Sequence, residues 1–310
     1  MKQPRVAIVI CSYNQEKLLE ECLSSLKNKT SYKNYEVYLI DDSGRGKIAK
    51  NIKNKFGGIE IISNKKNLGF SKSNNIGIKK AIKEYNPEYF ILLNDDCKII
   101  EKNWLKHIVE TGEKDKKIGI IGCNIRYPNG ELQNIGGYIK KWRIELELSD
   151  NKKEVFEVDH VMGACIVIKE EVINKVGLLD EQYSPYLLED TDYCLRAKEK
   201  GWKIVSIPYV KIIHNKGKSI DSQKDRKRLL IRFKNDILFS RRHLKGFNKF
   251  FRIFVYLPIV AMFKKKKDTD ELKWENLSLR KNFLRNLGLW FIAFFPNRYK
   301  KEFNTNKQII

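Results

Sequence analysis

The chain has 310 residues, of which 42% are hydrophobic and 32% are charged, and its formal net charge is +23. This length suits one large domain with an appendage or two modest domains, and the apolar share excludes a chain too polar to form a core. The charge alone would suit a nucleic-acid-binding protein, but no recognised nucleic-acid motif accompanies it.

The first half of the chain predicts strands alternating with helices. Apolar runs rich in β-branched residues are typical of buried strands, and they occur at 5–11, 35–40, 59–62, 89–93 and 118–123. Apolar residues at helical spacing follow the strands, at 18–26, 48–56, 78–85 and 104–110. This order predicts an α/β fold with a mostly parallel, Rossmann-like sheet covered by helices on both faces.

The pattern is weaker after residue 123. Residues 124–160 look irregular, and an apolar strand is expected at 161–168. A helix with an acidic first turn is expected at 186–200, followed by two short strands, at 204–207 and 210–213, that lead to His214.

The last part of the chain differs in composition. Residues 226–310 contain 22 lysines and arginines against 6 acidic residues, a net charge of +16 that leaves about +7 for the first 225. A basic helical segment at 229–244 precedes two apolar runs, at 250–263 and 287–295, both shorter than the roughly 20 residues that span a bilayer. We therefore expect a domain at 1–225 and a basic amphipathic region at 226–310 that associates with a membrane surface. Core packing or homodimerisation by these runs is left open.

Targeting signals and cysteines constrain the compartment. The N-terminal apolar run is too short for a signal peptide, which predicts a cytoplasmic protein, peripheral on the inner face of the cell membrane. No C-x-x-C pair occurs, so we expect reduced, buried thiols rather than a zinc site. The six cysteines are Cys11, Cys22, Cys97, Cys123, Cys165 and Cys194.

Polar residues follow three of the predicted strands, at 12–14, 41–42 and 94–96. Ligands of such sheets bind at the carboxyl ends of the strands, so we place these residues around one crevice. Carboxylates there are costly unless they are paired or bind a metal, and oxygen ligands suit Mg²⁺ or Mn²⁺ held together with phosphates. Neither G-x-G-x-x-G nor G-x-x-x-x-G-K-[ST] is present, which removes the main support for a dinucleotide-binding or P-loop protein.

Two further features could carry chemistry. A helix N-terminus needs fewer acids than the three found here, Glu189, Asp190 and Asp192. Glu189 or Asp190 could act as a base that deprotonates a hydroxyl. His214 ends a strand, where a structural role and a role as metal ligand or phosphate contact both stay open.

Six stretches together resemble family 2 glycosyltransferases of the GT-A fold, especially the branch called rhamnosyltransferase-like. They cover roughly residues 5–220 in the order of that family, and they lie at 6–26, 38–44, 64–81, 90–99, 161–204 and 214–219. Any one stretch is common, whereas the ordered set is specific.

The resemblance implies a site for a nucleotide-sugar donor. Ser12 and Tyr13 would line the nucleotide pocket, Asp41 would bind the base, and Asn94 would contact the ribose. The full set of residues implied to bind the donor is Ser12, Tyr13, Asp41, Asp42, Asn67, Gly69, Lys72, Asn94 and Asp95.

The resemblance also implies the catalytic and metal-binding residues. Asp190 would be the general base, and Glu189 would help to hold the acceptor. Asp96 would bind Mg²⁺ or Mn²⁺, and His214 would reach the metal or the diphosphate.

One base without a covalent nucleophile indicates a single displacement with inversion at the anomeric carbon, unlike hydrolysis by a flanking carboxylate pair. The Q-x-x-R-W motif of processive synthases is absent, so one or a few sugars are expected per encounter. The donor would be dTDP-rhamnose or a UDP-sugar, and the acceptor a glycan or lipid-linked molecule in surface polysaccharide biosynthesis. A sugar nucleotidyltransferase and a non-catalytic glycan- or nucleotide-binding module are the alternatives; a nucleic-acid partner is not expected.

Overall fold

The computed structural model describes residues 3–44, 46–215 and 225–259, together with residues 287, 288, 290, 291 and 294. The chain divides into two compact units. The first unit consists of Met1–Lys140 and Ile144–Ile220, and the second of Lys141–Arg143 and Asp221–Ile310.

A large mixed sheet forms the centre of the first unit. The strands described are β1 (Val6–Ser12), β2 (Tyr35–Asp41), β3 (Ile59–Ser63), β4 (Tyr89–Asn94), β5 (Cys97–Ile99), β6 (Ile118–Arg126), β7 (Leu132–Asn134), β8 (Gly137–Lys140), β9 (Arg143–Leu146), β10 (Phe156–Glu157), β11 (Cys165–Lys169) and β12 (Lys203–His214). The helices of this unit are α1 (Glu16–Lys29), α2 (Lys47–Lys55), α3 (Phe70–Glu84), α4 (Trp104–Lys114), α5 (Glu170–Val176) and α6 (Glu189–Glu199).

The central strands run in the order β10-β12-β6-β11-β4-β1-β2-β3, with β5 beside β12 and β7 beside β6. Strands β4, β1, β2 and β3 are mutually parallel, and β6 is parallel to β12. Strand β11 lies antiparallel between β4 and β6. The prediction of an α/β fold with a mostly parallel sheet is therefore confirmed.

The core lies on both faces of this sheet because its central strands are apolar throughout. In β1, Ile8 and Ile10 pack into one buried cluster with α1 and α4, while Ala7 and Val9 pack into a second one with α3. Side chains alternate between the two faces of a strand, so a continuous apolar run is buried only where helices cover both sides. That arrangement leaves the ends of the strands as the places for polar chemistry.

Several predicted elements differ from those observed. Residues 124–160 are not simply irregular, because they contain β7 to β10, including the paired strands β8 and β9. These strands are two to four residues long, too short to show an alternating pattern. The two strands predicted at 204–213 are one strand, β12, with a register shift between Ile207 and Lys211, where Pro208 cannot donate to the ladder.

The second unit contains helix α7 (Asp225–His243), helix α8 (Gly246–Phe251) and a π-helical turn at Arg252–Tyr256. Leu230, Phe233, Ile237 and Leu257 form its buried cluster. No helix in the described part of the chain combines the length and the apolar character needed to cross a membrane. Residues 260–263 of the first predicted apolar run, and residues 289, 292, 293 and 295 of the second, lie outside the described residues.

Candidate active site

The sheet brings the predicted polar strand ends together at one edge. Ser12 at the end of β1 is in register with Asp41 at the end of β2, and Cys11 is in register with Asn94 at the end of β4. The three strands are parallel, so their carboxyl ends open on the same side. The segments 12–14, 41–42 and 94–96 therefore lie together at one edge of the sheet.

Asp190 is connected to this edge through the loop before β11. The backbone amide of Asn94 donates to the carbonyl of Ala164 over 3.0 Å, which fixes the loop beside the end of β4. The amide of the preceding residue, Gly163, donates to Asp190 Oδ2 over 2.7 Å. A residue almost a hundred positions away in sequence thus lies close to the acidic loop.

Three protein donors hold the Asp190 carboxylate in a single orientation. Besides Gly163, the backbone amide of Thr191 donates to Oδ1 over 2.6 Å, and the Thr191 hydroxyl lies 3.2 Å from the same oxygen. The oxygens can accept further bonds, since a carboxylate offers about four lone-pair positions. Asp190 is half-buried.

The turn that presents Glu189 and Asp190 is strained. Leu187 and Leu188 adopt positive φ angles of 90° and 72°, a region that bulky residues rarely occupy. Leu188 is the N-cap of α6, and the buried Glu189 is its first residue. Strained backbone of this kind concentrates where side chains must be presented in one direction.

Asp96 and His214 form the best candidate for a metal centre. Both side chains are buried, and Asp96 Oδ1 lies 3.2 Å from His214 Nε2 without a hydrogen-bond donor aimed at it. Among the described residues, these two atoms and Cys97 Sγ form the one group of three spaced for a shared cation. The Cys97 thiol donates instead to the Ala164 carbonyl over 3.3 Å, and burial raises its pKa well above the usual value. A protonated thiol is a poor metal ligand, so the oxygen and nitrogen atoms remain.

Gln133 sets the tautomer of His214. Gln133 Oε1 lies 2.7 Å from His214 Nδ1 and can only accept there, so Nδ1 carries the proton and Nε2 presents its lone pair. Asn94 Nδ2 lies 3.4 Å from that nitrogen. Two electron-rich atoms, Nε2 and Asp96 Oδ1, then face each other at 3.2 Å, an arrangement that a cation between them would stabilise. The residues present therefore fit Mg²⁺ or Mn²⁺.

Asp95 differs from its neighbour. Burial raises its pKa to about 7, contact with the Ser12 side chain lowers it, and the charge of Asp96 raises it again. The backbone amide of Tyr13 also opposes the rise. A divalent cation at Asp96 would favour the charged form of Asp95.

Asp41 and Asp42 both interact strongly inside the protein. Asp41 accepts from the amides of Ser43 and Ala49, each over 3.0 Å, and so holds the start of α2. Asp42 accepts from Asn64 Nδ2 over 2.8 Å and from the amides of Leu68 and Gly69 over 2.9 to 3.1 Å. These hydrogen bonds give both carboxylates a structural role in the loops at this edge of the sheet. A contact of either carboxylate with the nucleotide base stays a prediction.

The loop at 67–69 passes directly against the segment that leads to α6. The amide of Phe70 donates to the carbonyl of Pro185 over 2.7 Å. A Cβ at Gly69 would lie 2.6 Å from Pro185 Cα, and Gly69 has a φ of +82°. Glycine is required there on both grounds.

The two other residues predicted in this loop region are more exposed. The side chain of Asn67 accepts from the Gly69 amide over 2.9 Å, and the partly exposed Lys72 lies 3.8 Å from Glu181. Of the predicted 214–219 stretch, His214 and Asn215 are described, and the amide of Asn215 donates to the carbonyl of Asp96 over 3.0 Å. Residues 216–219 lie outside the described residues.

Sequence reasoning missed several residues of this site. Long-range hydrogen bonds give Gln133, Gly163 and Asn64 their places in the site, and no periodicity of the sequence singles out these three residues. His160 is buried beneath Gly137, where burial lowers its pKa and the charge of Asp190 raises it. The sequence around His160 does not indicate that Asp190 lies near it.

The fold and the polar edge define an α/β protein with acidic side chains at the carboxyl ends of its parallel strands, and comparison identifies its family. The family model described as "Glycosyl transferase family 2" matches residues 7–177, more than half of the chain. The chain belongs to this family.

Curated relatives are distant and often longer. The uncharacterized protein y4gI of Sinorhizobium fredii is 24% identical over 266 residues, covering 78% of this chain and 28% of that protein. The hexosyltransferase Agl10 of low-salt glycan biosynthesis in Haloferax volcanii is 25% identical over 215 residues, covering 68% and 67%. The dTDP-rhamnosyl transferase RfbF of Shigella flexneri is 26% identical over 217 residues, covering 66% and 67%. The chain thus spans less than a third of y4gI.

Solved structures share the GT-A fold at low identity. TarS 1-349 of S. aureus in complex with UDP-GlcNAc aligns with a TM-score of 0.60 at 17% identity, covering 95% of this chain and 82% of that one. The mannosyltransferase PcManGT of Pyrobaculum calidifontis in complex with GDP-Man and Mn²⁺ aligns with a TM-score of 0.56 at 13% identity, covering 93% and 74%.

Proposed function

We propose that the protein is an inverting, metal-dependent glycosyltransferase that moves a sugar from a nucleoside-diphosphate sugar to an acceptor hydroxyl. The observation that carries this proposal is the connection of Asp190, through Gly163 and Ala164, to the end of β4 beside the acidic loop. This connection supports the proposal, because the reaction requires a base and a metal ion close to each other.

In the proposed reaction, Asp190 accepts the proton of the acceptor hydroxyl while the acceptor oxygen attacks the anomeric carbon. The bond between that carbon and the diphosphate oxygen breaks, and the electron pair leaves with the nucleoside diphosphate. The protein bonds on Asp190 fix its direction, which saves the cost of orienting the base in each turnover. Glu189, next to it in the strained turn, would hold the acceptor.

Asp96 and His214 would hold Mg²⁺ or Mn²⁺, which neutralises the negative charge of the diphosphate leaving group when bound. Mn²⁺ is named in the PcManGT complex, and that supports a divalent cation in this fold. Ser12, Tyr13, Asn94 and the loop at 67–69 would surround the nucleotide.

We further propose a dTDP-rhamnose or UDP-sugar donor and a glycan or lipid-linked acceptor. The likeness to RfbF supports the first donor, and the UDP-GlcNAc complex of TarS supports the second. The printed role of Agl10 in glycan biosynthesis supports a surface polysaccharide as product. A lipid-linked acceptor would place the enzyme at the cytoplasmic face of the membrane, bound through its basic C-terminal region.

A transfer assay with a panel of UDP- and dTDP-sugars, with and without Mn²⁺ or Mg²⁺, tests the proposal. Replacing Asp190 with Asn should lower kcat by about 10²- to 10⁴-fold, the usual contribution of a general base. Replacing Asp96 with Ala should abolish sugar transfer, and adding Mn²⁺ or Mg²⁺ should not restore it. Glu171, exposed in the first turn of α5, gives the matched control Glu171→Gln. Wild-type turnover in Asp190→Asn would refute the assignment of the base.

A further inference from the structure

Three phenylalanines in the second unit lie on the water-exposed side of a helical segment. Phe247, Phe250 and Phe254 follow each other at spacings of three and four residues, which puts them on one face, and they are 73%, 57% and 46% exposed. The opposite side of the segment, with Ile253 and Leu257, is buried. We call the three rings the aromatic face.

Each ring of the aromatic face contacts at least one other aromatic ring. Phe250 and Phe254 lie 5.2 Å apart between ring centroids, and Phe247 lies 5.7 Å from Phe251. Phe254 also contacts Phe294 at 5.7 Å, so the second apolar run of the sequence contributes to it. Single exposed apolar side chains are ordinary, whereas a cluster of large rings in water marks a surface that is covered in use.

The charge around this face is of one sign. Within the described residues, the segment from 237 to 259 has five lysines and arginines and no acidic residue. Arg241, Arg242 and Lys245 are exposed just before the aromatic face. Rings flanked by cations are the composition of helices that lie in the headgroup region of anionic bilayers.

The face is held outward by the packing beneath it. Arg252 Nη2 forms a buried ion pair with Asp236 Oδ1 over 2.7 Å, and Arg252 Nη1 donates to the carbonyl of Trp142. Leu257 packs into the cluster on α7. Since these groups occupy the inner side of the segment, the three phenylalanines cannot turn inward without breaking them.

We propose that the aromatic face inserts into the interfacial region of a bilayer that carries anionic headgroups, with the flanking lysines and arginines on those headgroups. A second copy of the chain would cover the rings but would bring the two basic segments together. An anionic bilayer satisfies the rings and the charge at once. Such a surface would bring the enzyme to a lipid-linked acceptor. That role rests on the proposed function.

Flotation of the full chain with vesicles tests the surface directly. The wild-type protein should float with vesicles of phosphatidylcholine and 30% phosphatidylglycerol, and weakly with phosphatidylcholine alone, and salt should weaken the binding. The triple variant Phe247→Ser, Phe250→Ser, Phe254→Ser should bind at least about tenfold more weakly, since each ring contributes apolar area. Ile82 on α3, 38% exposed in the other unit, gives the control Ile82→Ser, which should float like the wild type.

Other outcomes overturn the proposal. Equal flotation of the triple variant and the wild type would show that the rings do not insert. Failure of the wild type to bind vesicles would show the same. A wild type that sediments as a dimer, together with a triple variant that sediments as a monomer, would show that a second copy of the chain covers the rings. Binding to a single-stranded oligonucleotide in place of vesicles would assign the surface to nucleic acid.

The result is separable from the proposed reaction. Thermal melting and thermal-shift binding of UDP- and dTDP-sugars should be the same for the triple variant and the wild type, because none of the three phenylalanines is a predicted donor-binding residue. Vesicle binding without any sugar transfer would refute the reaction and keep the surface. Transfer to a water-soluble acceptor without vesicle binding would refute the surface and keep the reaction.

Discussion

At the scale of single residues, hydrogen bonds orient the candidate ligand and base atoms of the site without pairing them with an opposite charge. His214 presents Nε2 toward Asp96 because Gln133 occupies Nδ1, and Asp190 points in one direction because Gly163 and Thr191 donate to it. A side chain in such a setting has lost most of its rotamer freedom before a ligand arrives. Binding a metal or an acceptor then costs less ordering entropy.

Gln133→Leu should weaken metal binding without unfolding the protein. The change removes the acceptor of the Nδ1 proton, so the ring of His214 loses its fixed tautomer, and such second-layer changes typically cost about 10- to 100-fold in metal affinity. Titration of Mn²⁺ by paramagnetic resonance measures this without any turnover. Gln182→Leu, at the exposed 3-10 turn Glu181–Tyr183, is the control. Unchanged Mn²⁺ affinity in Gln133→Leu would contradict the role of Gln133 in orienting His214 toward the metal.

The sequence could predict the site residues that stand directly at the end of a recognisable strand or at the start of a recognisable helix. Asp96 and Asp190 stand in acidic stretches at the end of a strand or the start of a helix, and such positions can be located from apolar periodicity. Gln133 lies in a segment that looks irregular, and Gly163 lies in a predicted apolar strand. No pattern singles out either residue, because their roles come from bonds over 81 and 27 residues. Tertiary packing decides those contacts.

At the scale of elements, the crevice is shaped by loops fastened to one another. Asp42, at the end of β2, accepts two backbone amides of the loop at 67–69, and that loop packs on Pro185 before α6. The loop thus links the predicted nucleotide side of the crevice to the helix that carries Asp190. A change in it should act on both.

Gly69→Ala tests this link. The new Cβ would meet backbone atoms of Pro185 at 2.6 to 2.7 Å, and alanine disfavours the φ of +82°. We expect a loss of about 1–3 kcal/mol in the free energy of unfolding and a raised KM for the donor. Denaturant titration and donor kinetics measure the two effects. Gly57→Ala, where nothing lies within 4 Å, should be nearly neutral; equal behaviour of the two variants would contradict the close approach.

In the second unit, Asp236 makes two ion pairs of different kinds. Arg252 is buried at 2.7 Å from it, whereas the more exposed Arg232 lies at 3.6 Å. Removing one partner of a buried pair leaves an uncompensated charge and costs about 3–5 kcal/mol, while an exposed pair contributes about 0–1 kcal/mol. Arg252→Gln should therefore shift the denaturation midpoint far more than Arg232→Gln. Shifts of equal size would argue against a structural role for the buried pair.

At the scale of the whole molecule, the apolar runs of the sequence predicted the type of fold, but they did not predict the position and direction of every strand. The run at 89–93 becomes β4 at the centre of the sheet, because only a strand covered on both faces can be apolar throughout. The antiparallel insertion of β11 between β4 and β6 was not predictable, since a buried strand reads the same in either direction. That insertion is what carries Gly163 to the end of β4.

Folding stability should depend on pH through His160. Burial lowers its pKa below 6.5, while the charges of Asp190 and Asp159 oppose that shift, so the unfolded chain binds a proton that the folded protein excludes. Its contribution to stability is therefore full above pH 6.5 and is lost as the pH falls, by at most about 1.4 kcal/mol per pH unit. Asp95, with its pKa raised to about 7 in the metal-free protein, acts in the opposite sense over the same range.

The difference between variants isolates the histidine. Unfolding free energies of wild type and His160→Gln, measured by denaturant titration from pH 7.5 to 5.5 without metal, should diverge progressively, with the variant losing less on acidification. Because the contribution of Asp95 is common to both proteins, it cancels in this difference. His107→Gln removes an exposed histidine of α4 and should follow the wild type. Parallel curves for wild type and His160→Gln would show that the folded protein accepts the proton at His160, and that the charge of Asp190 offsets burial in full.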